Sequence, residues 1–407
     1  MHVEIHSKTG NNVVAAAMQH ITRQCQRVGV NVTFSPAQPP KGERRIALIF
    51  AATDSTWSPA EEAWFRTLLD GGVIVLPVVQ DPPTAQFLPK SVSHINAFVM
   101  DFFGAVWAEC LADEILSKVW LQRRVPKVFI SYKRTDSAPI AGQLYDRLNH
   151  LGYETFLDEA SVPRAADFQR ELKWWLNDAD LLIVLASPRF TLSKWCMEEV
   201  SFCQQRFIGV AVIQWPQAIY EGAARIPFPD MGAASKPPII IDRAQPGQML
   251  TLLPEDFAGD SVRGSADPTL PERELTQDGL SKVLKLCATQ RTVGIKQRLD
   301  DLIPCAQRLL NGATPVAGGF NPADLTYVNE GVRSFVRVLP FRPRPEDIRQ
   351  ACIDGVSYGT VAGCFYSEND ENDPRAKALR WLANAKRKES AELSDGWLWP
   401  SLGGKLW

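Results

Sequence analysis

Short β-branched and apolar runs alternate with amphipathic stretches through the middle of this 407-residue chain. The run KVFISY at 127–132 predicts a strand, and residues 139–152 behind it have helical spacing, with Pro at the start and Gly at the end. Four more runs predict strands at 153–158, 181–187, 209–215 and 237–243. Strands that alternate with helices indicate an α/β fold with a doubly wound parallel sheet. Ligands of such sheets bind beyond the carboxyl ends of the strands, where the strand order reverses.

A weaker copy of the same series occupies the first 125 residues. Residues 2–34 can be laid over residues 127–156 with a three-residue difference in length, and residues 46–79 parallel residues 181–215. The connecting segment of the first copy, SPAQPPKGERR, is too short for a second helix. We interpret this likeness as an internal duplication that has lost one helix. Two unrelated small α/β domains are the alternative interpretation.

The chain after residue 298 predicts a further small α/β module of unknown role. A polar segment rich in Gly and Pro at 255–278 reads as a loop or linker, and a helix is predicted behind it. The module contains predicted strands at 333–341 and 359–367, predicted helices at 345–355 and 374–388, and an aromatic tail. The predicted domains are therefore 1–125, 126–298 and 299–407.

Composition and charge exclude several classes of protein. The chain has 44 basic and 46 acidic residues, so no overall field would attract it to nucleic acid or to an anionic membrane. Its eight cysteines include no CxxC pair, which predicts reduced thiols. No uninterrupted apolar run approaches the roughly 18 residues that a membrane helix needs. These features predict a cytoplasmic protein without a membrane anchor.

Three common catalytic motifs are missing from the sequence. There is no GxxxxGK[ST], no GxGxxG after a strand and no HExxH, and the five histidines are scattered. A metal cage or a histidine-based triad is therefore not expected. Any chemistry would depend on carboxylates and on positioning.

The segment TLSKWCMEEV at 191–200 offers one such carboxylate. Ser193 is a good N-cap, so a helix should begin at Lys194 or Trp195, and Trp195 and Glu199 then lie one turn apart. A neighbouring helix face should press against the sheet, and its residues are Cys196, Val200 and Cys203. Glu199 is thus expected beside an indole, near the ends of the first and third strands.

A single carboxylate is chemically sufficient for cleavage of an N-glycosidic bond. The transition state resembles an oxocarbenium ion, which a facing anion stabilises. Nicotinamide leaves NAD+ as a neutral ring, so no second carboxyl is needed to protonate it. Lys133 and Arg134, at the end of the first strand, could supply a nearby cation that lowers the carboxyl pKa. The alternative is that Glu199 has no catalytic role and is a solvated residue on the helix surface.

Three separated blocks resemble a TIR domain, the Toll and interleukin receptor fold, of the bacterial kind. They are VFISYKRTDS with the following LYDRLNHLGYETFLDE, then LLIVLASPRFTLSKWCMEEV, then VAVIQWP. The resemblance covers roughly residues 127–290 and implies a flavodoxin-like sheet. In members of the family that are enzymes, it implies hydrolysis or cyclisation of NAD+ as a substrate, without a cofactor or a metal.

The resemblance also implies which residues act. The Glu that follows Trp by four residues in the SxWCxxE pattern is catalytic in the family's enzymes, and by position this is Glu199. The implied nucleotide pocket is bordered by Phe129, Ser131, Lys133, Arg134, Ser193 and Trp195. In the N-terminal copy, Glu62 is expected at the position of Glu199. That copy lacks the Trp-Cys pair, which predicts that it is inactive.

The sequence departs from the family in one loop. The loop after the second strand, DEASVPRAADF at 158–168, contains no glycine, although it often makes the contact between TIR domains that completes the active site. The mode of self-association therefore stays open.

Two main hypotheses follow. The first is an NAD-degrading TIR enzyme in bacterial defence against phage, activated when a trigger promotes self-assembly, with the flanking domains sensing the trigger or binding a partner. The second is a non-catalytic TIR signalling protein that acts by oligomerisation or partner binding. A third possibility is that the first domain binds a cyclic nucleotide or an NAD-derived messenger.

Overall fold

The chain forms two compact units. The computed structural model describes residues 1–34, 45–157, 172, 175–187, 190, 193–215, 249–258, 274–310, 312–316, 321–329, 332–356, 361–367 and 396–401. The first unit combines Met1–Arg124 with Leu299–Trp407, and the second is Val125–Arg298. The division into three domains stays a prediction, and each unit is considered by itself below.

The N-terminal part of the first unit is a five-stranded parallel sheet. Its strands are β1 (His2–Ser7), β2 (Thr33–Phe34), β3 (Arg45–Ala51), β4 (Ile74–Val79) and β5 (Phe98–Val99), in the spatial order β2-β1-β3-β4-β5. Its helices are α1 (Asn11–Arg27), α2 (Pro59–Asp70), α3 (Met100–Phe103) and α4 (Trp107–Lys118). The central strand β3 is almost wholly buried, which fits a strand covered on both faces.

The second unit has the same architecture. Its strands are β6 (Lys127–Tyr132), β7 (Glu154–Phe156), β8 (Leu181–Ala186), β9 (Gly209–Gln214) and β10 (Met249–Thr251), all parallel, in the order β7-β6-β8-β9-β10. Its helices include α5 (Arg134–His150), α6 (Lys194–Gln205) and α7 (Gln277–Leu309), which continues past the end of the unit. The predicted α/β class with a parallel sheet is confirmed. The strand predicted at 237–243 lies outside the described residues, and β10 is the edge strand of the described sheet.

The start of α5 differs from the sequence-based expectation. Proline was expected at the beginning of this helix, but the helix begins at Arg134 and contains Pro139 in its interior. Proline has no N–H for the helical ladder, so its first-turn preference made 139 the natural starting point. The earlier start brings the first turn of α5 directly to the end of β6.

A close contact between backbones fixes α7 against the second sheet. A Cβ placed on Gly294 of α7 would lie 2.4 Å from the backbone nitrogen of Gly209, the first residue of β9. A Cβ on Gly209 would lie 2.3 Å from the carbonyl oxygen of Gln290. The helix can approach the strand this closely because both positions are glycine.

The C-terminal part of the first unit is a mixed sheet. Strands β11 (Thr314–Pro315), β12 (Asp324–Asn329), β13 (Val332–Val338), β14 (Val361–Ser367) and β15 (Gly396–Ser401) lie side by side in that order. The first three are antiparallel neighbours, and the last three are parallel. Helix α8 (Pro345–Val356) connects β13 to β14. The predicted strands at 333–341 and 359–367 and the helix at 345–355 are confirmed, whereas the helix predicted at 374–388 lies outside the described residues.

A buried charge cluster joins the elements of this mixed sheet. The guanidinium of Arg337 on β13 donates to both oxygens of Asp324 at 2.8 and 2.9 Å and to Asp354 of α8 at 2.9 Å. Arg337 is 1% exposed, and its guanidinium also lies 5.3 Å from the ring centroid of Trp120. Burial alone would lower the pKa of Arg337, but the two carboxylates outweigh it and raise that pKa.

Two general expectations can be compared with the described residues. Their seven cysteines form no disulfide with one another, and five of the seven side chains are buried. In this part of the chain, no helix combines the length and the apolar character required to cross a membrane.

Candidate active site

Helix α6 begins where the sequence predicted. Ser193 is its N-cap, with extended backbone angles, and its Oγ accepts a hydrogen bond from the backbone N–H of Cys196 at 3.4 Å. The first helical residue is Lys194. A side-chain oxygen at this position satisfies an amide that the helix cannot bond internally. The cap fixes the point at which the chain turns from the loop into the helix that carries Glu199.

One face of α6 packs against the sheet. Cys196, Val200 and Cys203 are 4%, 0% and 0% exposed and belong to the same hydrophobic cluster as Phe129 and Val184 of the strands. This is the predicted packing face, and the prediction is confirmed. The thiol of Cys196 also donates to the carbonyl oxygen of Tyr132 at 3.5 Å. The first turn of α6 is therefore attached to the carboxyl end of β6.

Trp195 and Glu199 lie on the side of α6 that borders this packing face. They are one turn apart, Trp195 is 55% exposed, and Glu199 is half-buried. The pKa of the Cys203 thiol is raised, first by burial and second by the charge of Glu199. The charge of Glu199 therefore acts on a buried thiol. Glu199 itself is half-buried, on the helix whose first turn carries the exposed indole of Trp195.

The residues expected on the β6 side have different degrees of exposure. Phe129 and Ser131 are each 1% exposed, Lys133 is half-buried, and Arg134 is exposed. Phe129 stacks on the ring of Phe156 at a centroid distance of 4.8 Å, so it is part of the core beneath the site. Arg134 and Lys133 lie at the start of α5, immediately after β6. These two cations are the accessible members of the β6 group.

Ser131 has an unusual environment for a hydroxyl group. Its position on β6 is paired with Val184 of β8, and its Oγ has no hydrogen-bond partner within the described part of the chain. Buried hydroxyls normally have partners, because desolvation without a hydrogen bond is unfavourable. Ser131 lies on the same face of β6 as Phe129, since alternate residues of a strand share a face. This face is the one that α6 covers.

The structure brings the two predicted segments together. The bond from Cys196 to Tyr132 joins a residue next to Trp195 with a residue next to Lys133. Tyr132 is the last residue of β6, and the strand order reverses between β6 and its neighbour β8. Ligands of doubly wound sheets bind at such reversals. The loop without glycine at 158–168 lies outside the described residues.

The strand registers of the two parallel sheets are the same. Val3 pairs with Ile46 as Val128 pairs with Leu181. Continuing across the sheet, Ile46 pairs with Ile74 as Leu181 pairs with Gly209. The shared order and register are consistent with a duplication, which stays an interpretation.

The register corrects the position that we assigned to Glu62. The N-cap residues Ser58 and Ser193 lie equally far along the chain from Ile46 and Leu181. Counting from these caps, Trp64 occupies the position of Glu199, and Glu62 does not. The expectation was wrong because it paired two glutamates by residue type. The helix start determines which residues of α2 and α6 occupy equivalent positions. Glu62 instead accepts hydrogen bonds from the backbone N–H groups of Lys90 and Ser91 at 2.8 and 3.0 Å.

An ion pair lies at the strand-order reversal of the N-terminal sheet. Lys8, which follows β1, contacts Glu61 of α2 at 2.8 Å, and its ammonium group lies 5.0 Å from the ring centroid of Trp57. Lys8 and the N–H of Ser58 lower the pKa of Glu61 to about 2. No local sequence pattern indicates this pair, because its members are separated by α1 and two strands.

One contact of the candidate site was missed. The Cys196 to Tyr132 bond was missed because the cysteine was interpreted only as a packing residue, although its place in the SxWCxxE pattern was a signal. Among the residues that the structure describes, no group of three His, Cys, Asp or Glu side chains could hold a metal ion.

The comparisons with known proteins give one informative match. The family model for the TIR domain matches residues 128–231, about a quarter of the chain. No curated protein matches the chain. A candidate phosphosugar isomerase from Silicibacter pomeroyi DSS-3 is similar at 10% identity, over 52% of this chain and 74% of that one, with a TM-score of 0.16. A TM-score this low does not indicate a shared fold. The family match and the parallel sheet agree, and this chain therefore contains a TIR domain.

Proposed function

We propose that the TIR domain cleaves the N-glycosidic bond of NAD+ and releases nicotinamide. A TIR domain supports a function of the TIR family in general, either signalling or NAD cleavage. The observation that favours cleavage is the half-buried Glu199 one turn from the exposed indole of Trp195, on a helix attached to the strand-order reversal. A half-buried carboxylate is partly desolvated and still accessible, so it suits a cationic transition state.

The proposed reaction requires one carboxylate. The bond between the ribose C1′ and the ring nitrogen breaks, and its electron pair returns to the ring, so nicotinamide leaves neutral. The ribosyl group carries positive charge in the transition state, and Glu199 stabilises it. Water then adds at C1′ and loses a proton to give ADP-ribose. Attack by a group of the ADP-ribosyl unit itself would give a cyclic product.

The remaining predicted residues have separate roles in this proposal. Lys133 and Arg134 are accessible enough to contact the diphosphate of NAD+, and cations hold phosphate oxygens well. Trp195 offers an exposed aromatic face to a base, and Ser193 fixes the start of its helix. Phe129 supports the site from the core, and Ser131 offers a hydroxyl beneath it.

The biological part of the proposal is defence of a bacterial cell against phage. Depletion of NAD+ would stop the infected cell, and activity would depend on self-association of TIR domains or on a trigger sensed by the flanking segments. NAD+ is the substrate in this proposal, and no cofactor or metal takes part.

Replacement of Glu199 tests the proposal. Full-length protein is incubated with NAD+ at low and high protein concentration, and nicotinamide is followed by chromatography. Glu199→Gln keeps the size of the side chain and removes the charge, so nicotinamide release should fall by roughly 10² or more. Glu198→Gln is the matched control, because it removes a neighbouring half-buried carboxylate from the same helix. Equal rates for Glu199→Gln and the parent would reject the proposal.

A non-catalytic scaffold is the second candidate function. The observation that favours it is the 55% exposed side chain of Trp195, because an exposed indole is typical of a surface that a partner covers. If the parent releases no nicotinamide at any concentration but still self-associates, and Trp195→Ala prevents self-association, the scaffold is the better assignment.

A further inference from the structure

Cys196 is held at two points of the candidate site. Its backbone N–H bonds to the cap Ser193 at 3.4 Å, and its thiol bonds to the carbonyl oxygen of Tyr132 at 3.5 Å. The side chain is 4% exposed and packs in the same cluster as Val200 and Cys203. The third residue of α6 is therefore attached to both the loop before the helix and the end of the first strand.

The N-terminal sheet attaches its corresponding helix at the same position. Glu61 is the third residue of α2, its N–H bonds to the cap Ser58 at 3.3 Å, and its carboxylate contacts Lys8 at the end of β1. In both sheets the third helical residue thus connects the helix to the end of the first strand. The attachment is ionic in one sheet and uncharged in the other. Recurrence at an equivalent position indicates that this attachment sets how the helix sits on the sheet.

We propose that Cys196 is a positioning residue for Glu199, and this inference rests on the proposed function. Glu199 follows Cys196 by three residues and is its neighbour on the helix surface. A shift of the first turn would therefore move the carboxylate relative to the bond that breaks. Displacement of a reacting group by about 1 Å can reduce a rate by 10²-fold.

Two substitutions separate the hydrogen bond from the packing. Cys196→Val keeps an apolar side chain of similar volume and removes the donor. Cys196→Ser keeps a donor, which needs only a small shift toward the carbonyl oxygen of Tyr132 because its C–O bond is shorter than the C–S bond of cysteine. The kcat and KM for NAD+ cleavage are measured on full-length protein, together with the thermal unfolding midpoint and the amide hydrogen exchange of α6. We expect Cys196→Val to lower kcat by about tenfold with little change in KM, and Cys196→Ser to stay within about threefold of the parent.

The outcomes distinguish this inference from the proposed function. A parental kcat in Cys196→Val, equal losses in both variants, or a loss that follows the unfolded fraction would overturn the positioning role while NAD cleavage stands. If the parent releases no nicotinamide, the proposed function fails, and amide exchange decides whether the attachment exists. Faster amide exchange at 194–200 in Cys196→Val than in Cys196→Ser would show that the bond from Cys196 to Tyr132 holds the start of α6. Identical exchange in the two variants would show that it does not.

Discussion

Trp64 donates its indole N–H to a carboxylate oxygen of Glu4 at 2.7 Å. Glu4 is 1% exposed, the Nε2 of His6 lies 2.7 Å from the same oxygen, and Arg45 lies 3.5 Å from the other. Burial alone would raise the pKa of Glu4, but the bonds to His6 and Trp64 outweigh it and lower that pKa. The position equivalent to Glu199 therefore serves in the N-terminal sheet to stabilise a buried anion on β1.

Removal of this indole donor should destabilise the N-terminal sheet. Trp64→Phe leaves the buried carboxylate of Glu4 with one donor fewer, and a hydrogen bond to a charged group contributes roughly 1.5–3 kcal/mol. The measurement is hydrogen exchange of the β1 and β3 amides, because a protein with two units need not unfold in one step.

Trp57→Phe is the matched control for that substitution. It removes an indole bond of 2.9 Å to the uncharged carbonyl oxygen of Phe87, for which a loss of about 1 kcal/mol is expected. A larger loss in Trp57→Phe than in Trp64→Phe would contradict the role assigned to the buried charge.

The ion pair between Lys8 and Glu61 should be visible in a titration. Lys8 is the largest cause of the low pKa of Glu61, so Lys8→Met should raise that pKa from about 2 toward the ordinary value of 4.5. A folded pKa below the unfolded one stabilises above the unfolded pKa, and this contribution is lost as the pH falls from about 4.5 to about 2. The stability difference between parent and Lys8→Met should therefore shrink over that range. The carboxyl shift of Glu61, followed by NMR, measures the change.

A distant lysine provides the control for this titration. Lys118→Met breaks a pair with Glu114 at 3.0 Å on α4 and should leave the titration of Glu61 unchanged. An unaltered pKa of Glu61 in Lys8→Met would show that the ion pair does not form in solution.

Local signals predicted much of the candidate site. Ser193 could be identified as a cap because a side-chain oxygen before an apolar periodic segment has a specific use at a helix start. The packing of Cys196, Val200 and Cys203 followed from helical spacing alone. The strands β6, β8 and β9 followed from apolar runs that are long enough for a strand and too short for a helix.

Other features depend on contacts that no local pattern contains. The equivalence of Trp64 and Glu199 requires the strand register, which pairing across the sheet determines. The interior position of Pro139 reflects a helix start set by the end of β6 instead of by local preference. Strand β12 was missed because its sequence, DLTYVN, is short and polar, and its pairing with β13 supplies the stability.

Replacing glycine by alanine should change the stability of the second unit in opposite directions at Gly294 and at Gly142. Gly294→Ala places a methyl group 2.4 Å from the backbone nitrogen of Gly209, and backbone cannot move aside as a flexible side chain can. We expect a loss of about 3 kcal/mol, the upper end of the usual cost of overpacking. In helix α5, Gly142→Ala meets nothing within 4 Å and should stabilise by about 0.5–1 kcal/mol, because alanine has the higher helix propensity. Hydrogen exchange of β8 and β9 measures the first and that of α5 the second. Equal effects at the two positions would contradict the close approach of α7.

Loss of the buried arginine of the mixed sheet should strongly destabilise the first unit. Arg337→Met leaves Asp324 and Asp354 buried without their cation, and breaking a buried ion pair on one side costs roughly 3–5 kcal/mol. Arg337→Lys should cost nearly as much, because a single ammonium group cannot replace the two parallel bonds to Asp324. Hydrogen exchange of β12 to β14 measures both. The variant that combines Arg337→Met with Asp324→Asn and Asp354→Asn is the control, since it contains no buried charge at these three positions. It should recover part of the lost stability, and a further loss would show that the hydrogen bonds matter more than the uncompensated charge.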